Sequence, residues 1–152
     1  MTVSAWIKPN SMGQLNLGRI VAKEEGTGAG RWMLIIDGGV NNLSFVKDFS
    51  TTELRRRTAN NVFSLGVWQH VAATYDGSSS AANVHIYVNG KEVSSYVLNQ
   101  DGAGAKLSDA AMGVLIGNRG SQDRAFDGSI DDARVYNRAL TAAEIQSVMN
   151  GN

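Results

Sequence analysis

The chain has 152 residues, of which 43% are hydrophobic and 18% charged, so it is long enough to bury a core as a single domain. Fourteen lysine and arginine residues balance fourteen aspartate and glutamate residues, which excludes a general attraction to nucleic acid or to an anionic membrane. The absence of cysteine excludes disulfides, thiolate zinc sites and cysteine nucleophiles. No apolar run is long enough to predict insertion into a membrane as a spanning helix.

Seventeen glycines and a single proline, together with many serines and asparagines, favour short strands separated by turns. The strands predicted from apolar alternation are, in chain order, TVSAWIK, GRIVAK, RWMLIID, NLSFVKD, LRRRTA, WQHVAATYD, the hairpin NVHIYVNGKEVSSYV, MGVLIGN and GSIDDARVY. RWMLIID is apolar almost throughout, which predicts cover on both faces, whereas LRRRTA is predicted to be an exposed or edge strand. The glycine-rich stretches GTGAG and GAGAK are predicted to be flexible loops.

Two local motifs make sharper predictions. The pair Asn89-Gly90 lies between two alternating runs and is typical of a type I′ hairpin turn, in which both central residues need positive φ. Near the end of the chain, Thr141 and Glu144 have the spacing of a capping box and predict a short helix over LTAAEIQSVMN, with Gly151 just beyond its last turn. A helix this short needs tertiary support, so its apolar face is expected to dock on the strands.

Five stretches, in this order and spacing, carry a resemblance to a known family: TVSAWIKP, WQHVAATYDG, HIYVNGKEV, VLIGNRG and FDGSIDDARVYNRALTAAEI. Together they resemble the LamG-like jelly-roll family of the concanavalin A-like lectin/glucanase superfamily, over essentially the whole chain, 1–152. The resemblance implies an all-β fold, a two-sheet antiparallel jelly-roll sandwich with a short C-terminal helix. It also implies ligand binding, often of carbohydrate, in an extracellular protein, although no signal peptide is recognisable in this chain.

The chain departs from that family pattern at its start. Such domains commonly begin with one more strand before the equivalent of TVSAWIKP, and that strand is not found here. A sheet edge is therefore expected to be unpaired unless another segment covers it, which makes a homo-oligomer through an open edge possible. In relatives, a calcium site often draws on the same segment, so the resemblance implies calcium only weakly for this sequence.

Asp131 and Asp132 are adjacent in a predicted strand, and since neighbouring strand residues point to opposite faces, one of the two is expected to face inward. Three interpretations stay open. The pair, together with Asp127, binds calcium, which prefers several oxygen ligands. Alternatively, the inward carboxylate pairs with an arginine such as Arg134, two residues further along the same face, which is the common outcome for a buried charge. In the third interpretation, both carboxylates are solvated at the rim of a sheet.

The candidate ligand-binding residues are aromatic or charged. Trp6 and Trp32 could each provide the flat apolar surface that a sugar ring packs against, whereas Trp68, at the start of a strand, is expected to be core. The basic stretch LRRRTA places Arg55 and Arg57 where they could bind an anionic group, and its alternative role is to prevent edge pairing. The remaining candidate is Asp123, in the loop GNRGSQDRAFDGS.

Catalysis is not indicated by this sequence. The relatives that are glucanases carry a Glu-x-Asp-x-x-Glu motif, which places two carboxyls across the scissile bond, and none of the five glutamates of this chain lies in such a motif. His70 and His85 lie on different predicted strands and have no short metal-binding spacing. We therefore expect a non-catalytic ligand-binding module, with carbohydrate as the leading ligand and a concave sheet or rim loops as the site. A structural or protein-interaction module is the alternative, and a glycoside hydrolase or lyase is the minority hypothesis.

Overall fold

The computed structural model describes residues 1–25 and 30–151, and nearly all of its regular structure is β-strand. The strands are β1 (Thr2–Pro9), β2 (Arg19–Lys23), β3 (Trp32–Ile36), β4 (Leu43–Lys47), β5 (Leu54–Thr58), β6 (Gln69–Tyr75), β7 (Val84–Val88), β8 (Lys91–Glu92), β9 (Tyr96–Gln100), β10 (Leu115–Ile116) and β11 (Gly128–Tyr136). Helix α1 spans Ala142–Met149, and 3₁₀ turns cover Gln14–Asn16 and Ala81–Asn83. Most of the predicted loop GTGAG lies outside the described residues.

The strands form two antiparallel sheets stacked face to face. The five-stranded sheet has the order β11-β1-β6-β7-β8, and the six-stranded sheet has the order β10-β2-β3-β4-β5-β9. Because neighbours in each sheet are often far apart in sequence, the chain passes repeatedly between the two sheets, as in a jelly roll. The predicted all-β, two-sheet antiparallel jelly-roll sandwich with a short C-terminal helix is confirmed.

The core lies between the sheets and follows the alternation seen in the sequence. On β1, the side chains of Val3, Ala5 and Ile7 point inward and are fully buried, while those of Trp6 and Lys8 point outward and are partly exposed. The same inward set continues on the other strands with Ile20, Leu34, Ile36, Leu43, Phe45, Leu54, Val71, Ala73, Val84 and Ile86. Strands β3 and β4 are buried on both faces, as predicted for RWMLIID.

Helix α1 is held by both of the predicted end signals. The side chain of Thr141 accepts a hydrogen bond from the backbone N–H of Glu144, and the Glu144 carboxylate accepts one from the backbone N–H of Thr141. Gly151 has a φ of 83° directly after the last turn. The predicted hairpin turn is also confirmed, because Asn89 and Gly90 have φ of 50° and 72° between β7 and β8.

The helix covers part of the outer face of the five-stranded sheet. Its buried residues Ile145 and Val148, with Leu140 just before the helix, pack against Ala72 of β6 and Tyr87 of β7. This contact buries the apolar side of a helix that is too short to be stable alone. The half of the same face that is nearer to Trp6 is not packed against α1.

The topology decides two expectations about sheet edges. Strand β1 is covered on both sides by other segments of the chain, the alternative that the sequence left open, since it is hydrogen-bonded to β11 on one side and to β6 on the other. Strand β5, which contains LRRRTA, is not an edge strand, since it lies between β4 and β9. Local pattern cannot show this, because the pairing partner Tyr96–Gln100 comes from a distant part of the chain. Within the described residues, the edge strands are β11, β8, β10 and β9.

Candidate functional site

A β-bulge decides the orientation of Asp131 and Asp132. The pairing of β1 with β11 shifts register between Ser4 and Trp6, and Asp132 has a φ of 45° at this shift. Trp6, which points outward, is paired with Asp131, and both aspartates are exposed. The expectation that one of the two carboxylates faces inward is therefore wrong, because the extra residue of the bulge interrupts the strict alternation of the strand.

The carboxylates of this segment bind protein donors. Asp132 accepts a hydrogen bond from Nε of Arg134 at 2.7 Å, and Asp131 accepts one from the backbone N–H of Asp132 at 2.8 Å. The predicted pairing with Arg134 is thus present, but at the surface of an edge strand and not in the interior. Asp127 lies in a different environment, where Oγ of Ser11 donates to its carboxylate at 2.7 Å.

These residues do not fit a calcium site. Calcium takes six to eight oxygen ligands, several of them from carboxylates that converge on one point. Among residues 1–25 and 30–151, no group of three or more acidic or histidine side chains is arranged to hold a metal ion. Calcium binding by Asp127, Asp131 and Asp132 stays a prediction from the sequence, and the geometry counts against it.

The exposed half of the outer face of the five-stranded sheet brings Trp6 and Asp131 together with Lys8. Trp6 and Lys8 are the two partly exposed residues of β1, and they are paired with Asp131 and Ser129 of β11. The Lys8 ammonium forms no ion pair with any carboxylate of the described residues. The exposed carboxylate of Asp131 accepts a hydrogen bond from the backbone N–H of Asp132. Its remaining oxygen lone pairs can accept hydrogen bonds from a ligand.

Trp68 belongs to the same surface, although the sequence was interpreted to place it in the core. Its side chain is 43% exposed, directly before β6. Gln69 is paired with Ile7, and the backbone N–H of Gly66 donates to the carbonyl of Pro9 at 2.7 Å, so the segment that carries Trp68 lies beside the end of β1. The sequence contained the signal, because alternation places Trp68 on the same face as His70, opposite the core residues Val71 and Ala73. We call Trp6, Lys8, Trp68 and Asp131 the tryptophan face.

Trp32, the other aromatic candidate, is buried and cannot serve as a surface for a sugar ring. Its side chain is 2% exposed, and its indole N–H donates to a carboxylate oxygen of Asp109 at 2.8 Å. The residue opens the buried strand β3, whose two faces are both covered. Its expected contribution to ligand binding is therefore corrected to a structural one, as is common for tryptophan in a small sandwich.

Arg55 and Arg57 point outward from β5 but bind a carboxylate of the protein. Asp37 is 3% exposed and lies 2.5 Å from Nη2 of Arg55 and 3.9 Å from Nη1 of Arg57. Oγ of Ser44 donates to the same carboxylate. Arg57 is the more weakly held of the two, because its Nε is buried without a hydrogen-bond partner in the described residues.

Asp123 belongs to the same set of ion pairs, which we call the arginine network. Its carboxylate binds Nε of Arg119 at 2.6 Å, and Nη1 of Arg119 in turn binds the fully buried carboxylate of Glu24 at 3.1 Å. The remaining links run through Glu24, Arg31, Glu53 and Arg55 to Asp37. The network contains Arg19, Glu24, Arg31, Asp37, Asp48, Glu53, Arg55, Arg57, Arg119, Asp123 and Arg124.

The charges of this network stabilise one another. Burial raises the pKa of Glu24, but hydrogen bonds and charges from Arg19, Arg119 and Arg31 outweigh it, so that the pKa is lowered overall. The hydrogen bond from Arg119 likewise holds the pKa of Asp123 far below its usual range. Arginines that are already bidentate to protein carboxylates have few donors left for a ligand.

The two histidines lie on different strands, His70 on β6 and His85 on β7. His70 is 1% exposed, its ring lies edge-on to Trp6 at 5.7 Å, and burial lowers its pKa to about 4. Because this pKa lies well below 7, the ring is uncharged at neutral pH, and its Nδ1 has no hydrogen-bond partner in the described residues. His85 is exposed, and its Nδ1 lies 2.6 Å from a carboxylate oxygen of Glu92.

The fold is that of a jelly-roll β-sandwich, and comparisons with known proteins give its family. The family model for laminin G domains (Laminin_G_3), described as the concanavalin A-like lectin/glucanases superfamily, matches residues 1–146. The chain belongs to this family, as its sequence resemblance implied. Among curated proteins, it is 25% identical over 155 residues to the adhesion G-protein coupled receptor V1 of Danio rerio. The match covers 98% of the chain but only 2% of the receptor.

Several solved structures have folds similar to this one. A carbohydrate-binding module (CBM40) of the Ruminococcus gnavus IT-sialidase, bound to α2,6-sialyllactose, superposes with a TM-score of 0.67 at 16% identity, over 97% of this chain and 82% of that one. The heptameric SAP-like pentraxin of Limulus polyphemus gives 0.63 at 19% identity, over 97% and 68% of the chains. The botulinum neurotoxin serotype D/C binding domain gives 0.62 at 18% identity, over 99% and 36%. At these identities the likeness shows the fold alone. Within the described residues, no helix is both long and apolar enough to cross a bilayer.

Proposed function

We propose that the protein is a non-catalytic carbohydrate-binding module whose site is the tryptophan face. The observation that carries the proposal is the pair of partly exposed indoles, Trp6 and Trp68, on adjacent segments of one sheet that α1 does not cover. Indole rings pack well against the apolar faces of sugar rings. The family and the sugar-bound carbohydrate-binding module among its structural neighbours support this ligand class.

The polar groups around the indoles suit sugar hydroxyls. Lys8 provides an ammonium donor without a carboxylate partner in the described residues, and Asp131 provides an exposed carboxylate acceptor. These two charges cancel, and the charge of Asp132 is cancelled by Arg134. A face without net charge favours a neutral sugar over a strongly anionic one.

The proposal that the module is non-catalytic is supported by the geometry of the same face. Retaining hydrolysis of a glycosidic bond uses two carboxyls on opposite sides of the bond, about 5 Å apart, one of which acts as an acid with a raised pKa. Asp131 and Asp132 are consecutive residues of one exposed bulge and lie on the same side of anything bound to the face.

The test is a screen of neutral oligosaccharides on a glycan array, followed by calorimetry of the best ligand with three variants. We expect Trp68→Ala to weaken binding about tenfold or more and Asp131→Asn to weaken it by a smaller factor. Val97→Ala is the matched control, because Val97 is 55% exposed on β9 of the other sheet. If Trp68→Ala and Val97→Ala bind alike, the site is elsewhere; if no neutral sugar binds at all, the carbohydrate proposal is wrong.

A second candidate function is self-association through the edge formed by β10 and β11. Val135 of β11 is paired with the buried Val3 and, like it, points to the inner face of the sheet, yet Val135 is 46% exposed. Ile116 of β10 is 57% exposed. Exposed apolar side chains on unpaired edge strands are typical of association sites. Sedimentation velocity is expected to show concentration-dependent association that Val135→Lys removes. A strictly monomeric parent protein at high concentration would rule this function out.

A further inference from the structure

A cleft lies at the end of the sandwich away from Trp68. Its volume is about 510 Å³, in the range of sites for small molecules. Its lining includes Lys47 at the end of β4, Tyr75 at the end of β6, and Lys106 and Asp109 in the loop after β9. Since β6 runs from the residue after Trp68 to Tyr75, its seven residues separate the cleft from the tryptophan face by roughly 20 Å.

The most informative group in the cleft is the ammonium of Lys47. Lys47 is 5% exposed, and its Nζ donates to the carbonyl oxygens of Gly30 at 2.7 Å and Leu107 at 2.8 Å. An ammonium has three N–H donors, so one remains beyond these two bonds. No carboxylate of the described residues is within ion-pair distance, and burial lowers the Lys47 pKa although Asp109 and Asp48 act to raise it. A cation this buried normally has a counter-charge.

The other charged groups leave the cleft with an excess of positive charge. Lys106 approaches only the carbonyl of Gly77, at 3.4 Å, and forms no ion pair with the described carboxylates. Asp109 is bound by the indole N–H of Trp32 and by Lys23 at 3.5 Å. Asp76 accepts from the backbone N–H of Ser78 and from Asn83. The charged side chains that line the cleft are Lys47, Lys106, Asp76 and Asp109. Because Asp109 already pairs with Lys23 from outside the lining, the two lining lysines face one uncompensated aspartate, which leaves one net positive charge.

We propose that this cleft is a second ligand site, for a monoanionic sugar acid. The carboxylate of the ligand binds between the remaining N–H of Lys47 and the ammonium of Lys106. The side chains of Ser108 and Asn137, which also line the cleft, are placed to bind hydroxyls. A dianion such as phosphate is disfavoured, because Asp76 and Asp109 lie in the same cleft and a second negative charge would be repelled.

The experiment compares sodium glucuronate with glucose, which differ at the carboxylate, in NMR titrations of the whole chain. We expect glucuronate to shift the backbone amides of Gly77, Leu107 and Ser108 in a saturable way, and glucose to leave them unchanged. Lys106→Ala is expected to weaken glucuronate binding about tenfold. Lys47→Met should abolish binding without unfolding the protein, because an apolar side chain of similar length replaces a buried charge. Arg57→Ala, at a distance from the cleft, is the control and should bind as the parent does.

Several outcomes overturn this proposal. Equal shifts with glucose and glucuronate exclude recognition of the carboxylate, and unchanged affinity in Lys106→Ala excludes the site. If acetate competes as well as glucuronate, the cleft binds anions in general and does not recognise a sugar acid. If inorganic phosphate binds more tightly than glucuronate, the preference for a ligand with a single negative charge is wrong. Trp68→Ala should leave the glucuronate titration unchanged, so failure of the cleft and failure of the tryptophan face are distinguished.

Discussion

The outer faces of the two sheets carry similar residue types but use them differently. On the six-stranded side, arginines and carboxylates form a continuous set of ion pairs around the buried Glu24. On the five-stranded side, the tryptophan face leaves Lys8 without a carboxylate partner in the described residues and Trp68 43% exposed. Charged residues that satisfy one another stabilise the fold, whereas groups that the protein leaves available can bind a ligand.

The largest expected effect is on stability, from the centre of the arginine network. Glu24→Gln removes the buried charge that Arg19, Arg31 and Arg119 share. It is expected to lower the free energy of unfolding by about 3–5 kcal/mol, because it leaves the buried guanidinium of Arg19 without a carboxylate partner in the described residues. Urea unfolding measures this. Arg57→Ala, at the weakly held end of the network, should cost less than about 1 kcal/mol. Similar losses of stability for the two variants would contradict the central position of Glu24 in the arginine network.

The next largest effect is a dependence of the free energy of unfolding on pH, which arises from His70 in the five-stranded sheet. The pKa of His70 is about 4 in the folded protein and near 6.5 in the unfolded chain, so the unfolded state binds the proton first. The stability from this group is complete above pH 6.5 and is lost as the pH falls to about 4, by about 3 kcal/mol. Unfolding measured across this range should show the full loss in the parent and in His85→Ala. His70→Leu should show a clearly smaller loss, which comes from carboxylates with a lowered pKa such as Glu24. A flat profile for the parent would show that His70 is not buried as described.

A smaller effect is expected at the helix that divides the five-stranded face. Thr141→Ala removes the N-cap hydrogen bond to Glu144 and should lower stability by about 1 kcal/mol. Helix α1 covers Ala72 and Tyr87 but not the tryptophan face. At a temperature where the variant is fully folded, its affinity for a neutral sugar should therefore equal that of the parent. Thermal unfolding and calorimetry measure the two quantities. A loss of sugar affinity that accompanies the loss of stability would mean that the helix takes part in the site.

The smallest expected effect concerns calcium. A ligand that binds only the folded state raises its melting temperature. Since the carboxylates of Asp127, Asp131 and Asp132 already accept protein donors, we expect the melting temperature in millimolar calcium and in chelator to agree within about 1 °C. A clear rise with calcium that Asp131→Asn removes would restore the prediction made from the sequence.

The features that could be predicted from the sequence are those set by neighbouring residues. The Asn89-Gly90 turn and the Thr141–Glu144 capping box depend on a few adjacent positions, and both are present as expected. The candidate site was harder to predict. Trp6 lies on the surface, but Trp32 is in the core and Trp68 is exposed, the reverse of what was expected. Aromatic residue type does not distinguish these positions, because core and surface both favour large apolar rings.

By itself, the sequence determined the two-sheet all-β fold and the family, because alternation, turns and the ordered motifs are properties of the chain taken in order. Only the tertiary structure decided that β5 is internal, that a bulge places Asp131 and Asp132 on one exposed face, and that Lys47 lies buried in a cleft. Each of these depends on strand pairing and on contacts between residues far apart in sequence. The physical reason is that burial and charge pairing are set by neighbours in space, which a local pattern does not specify.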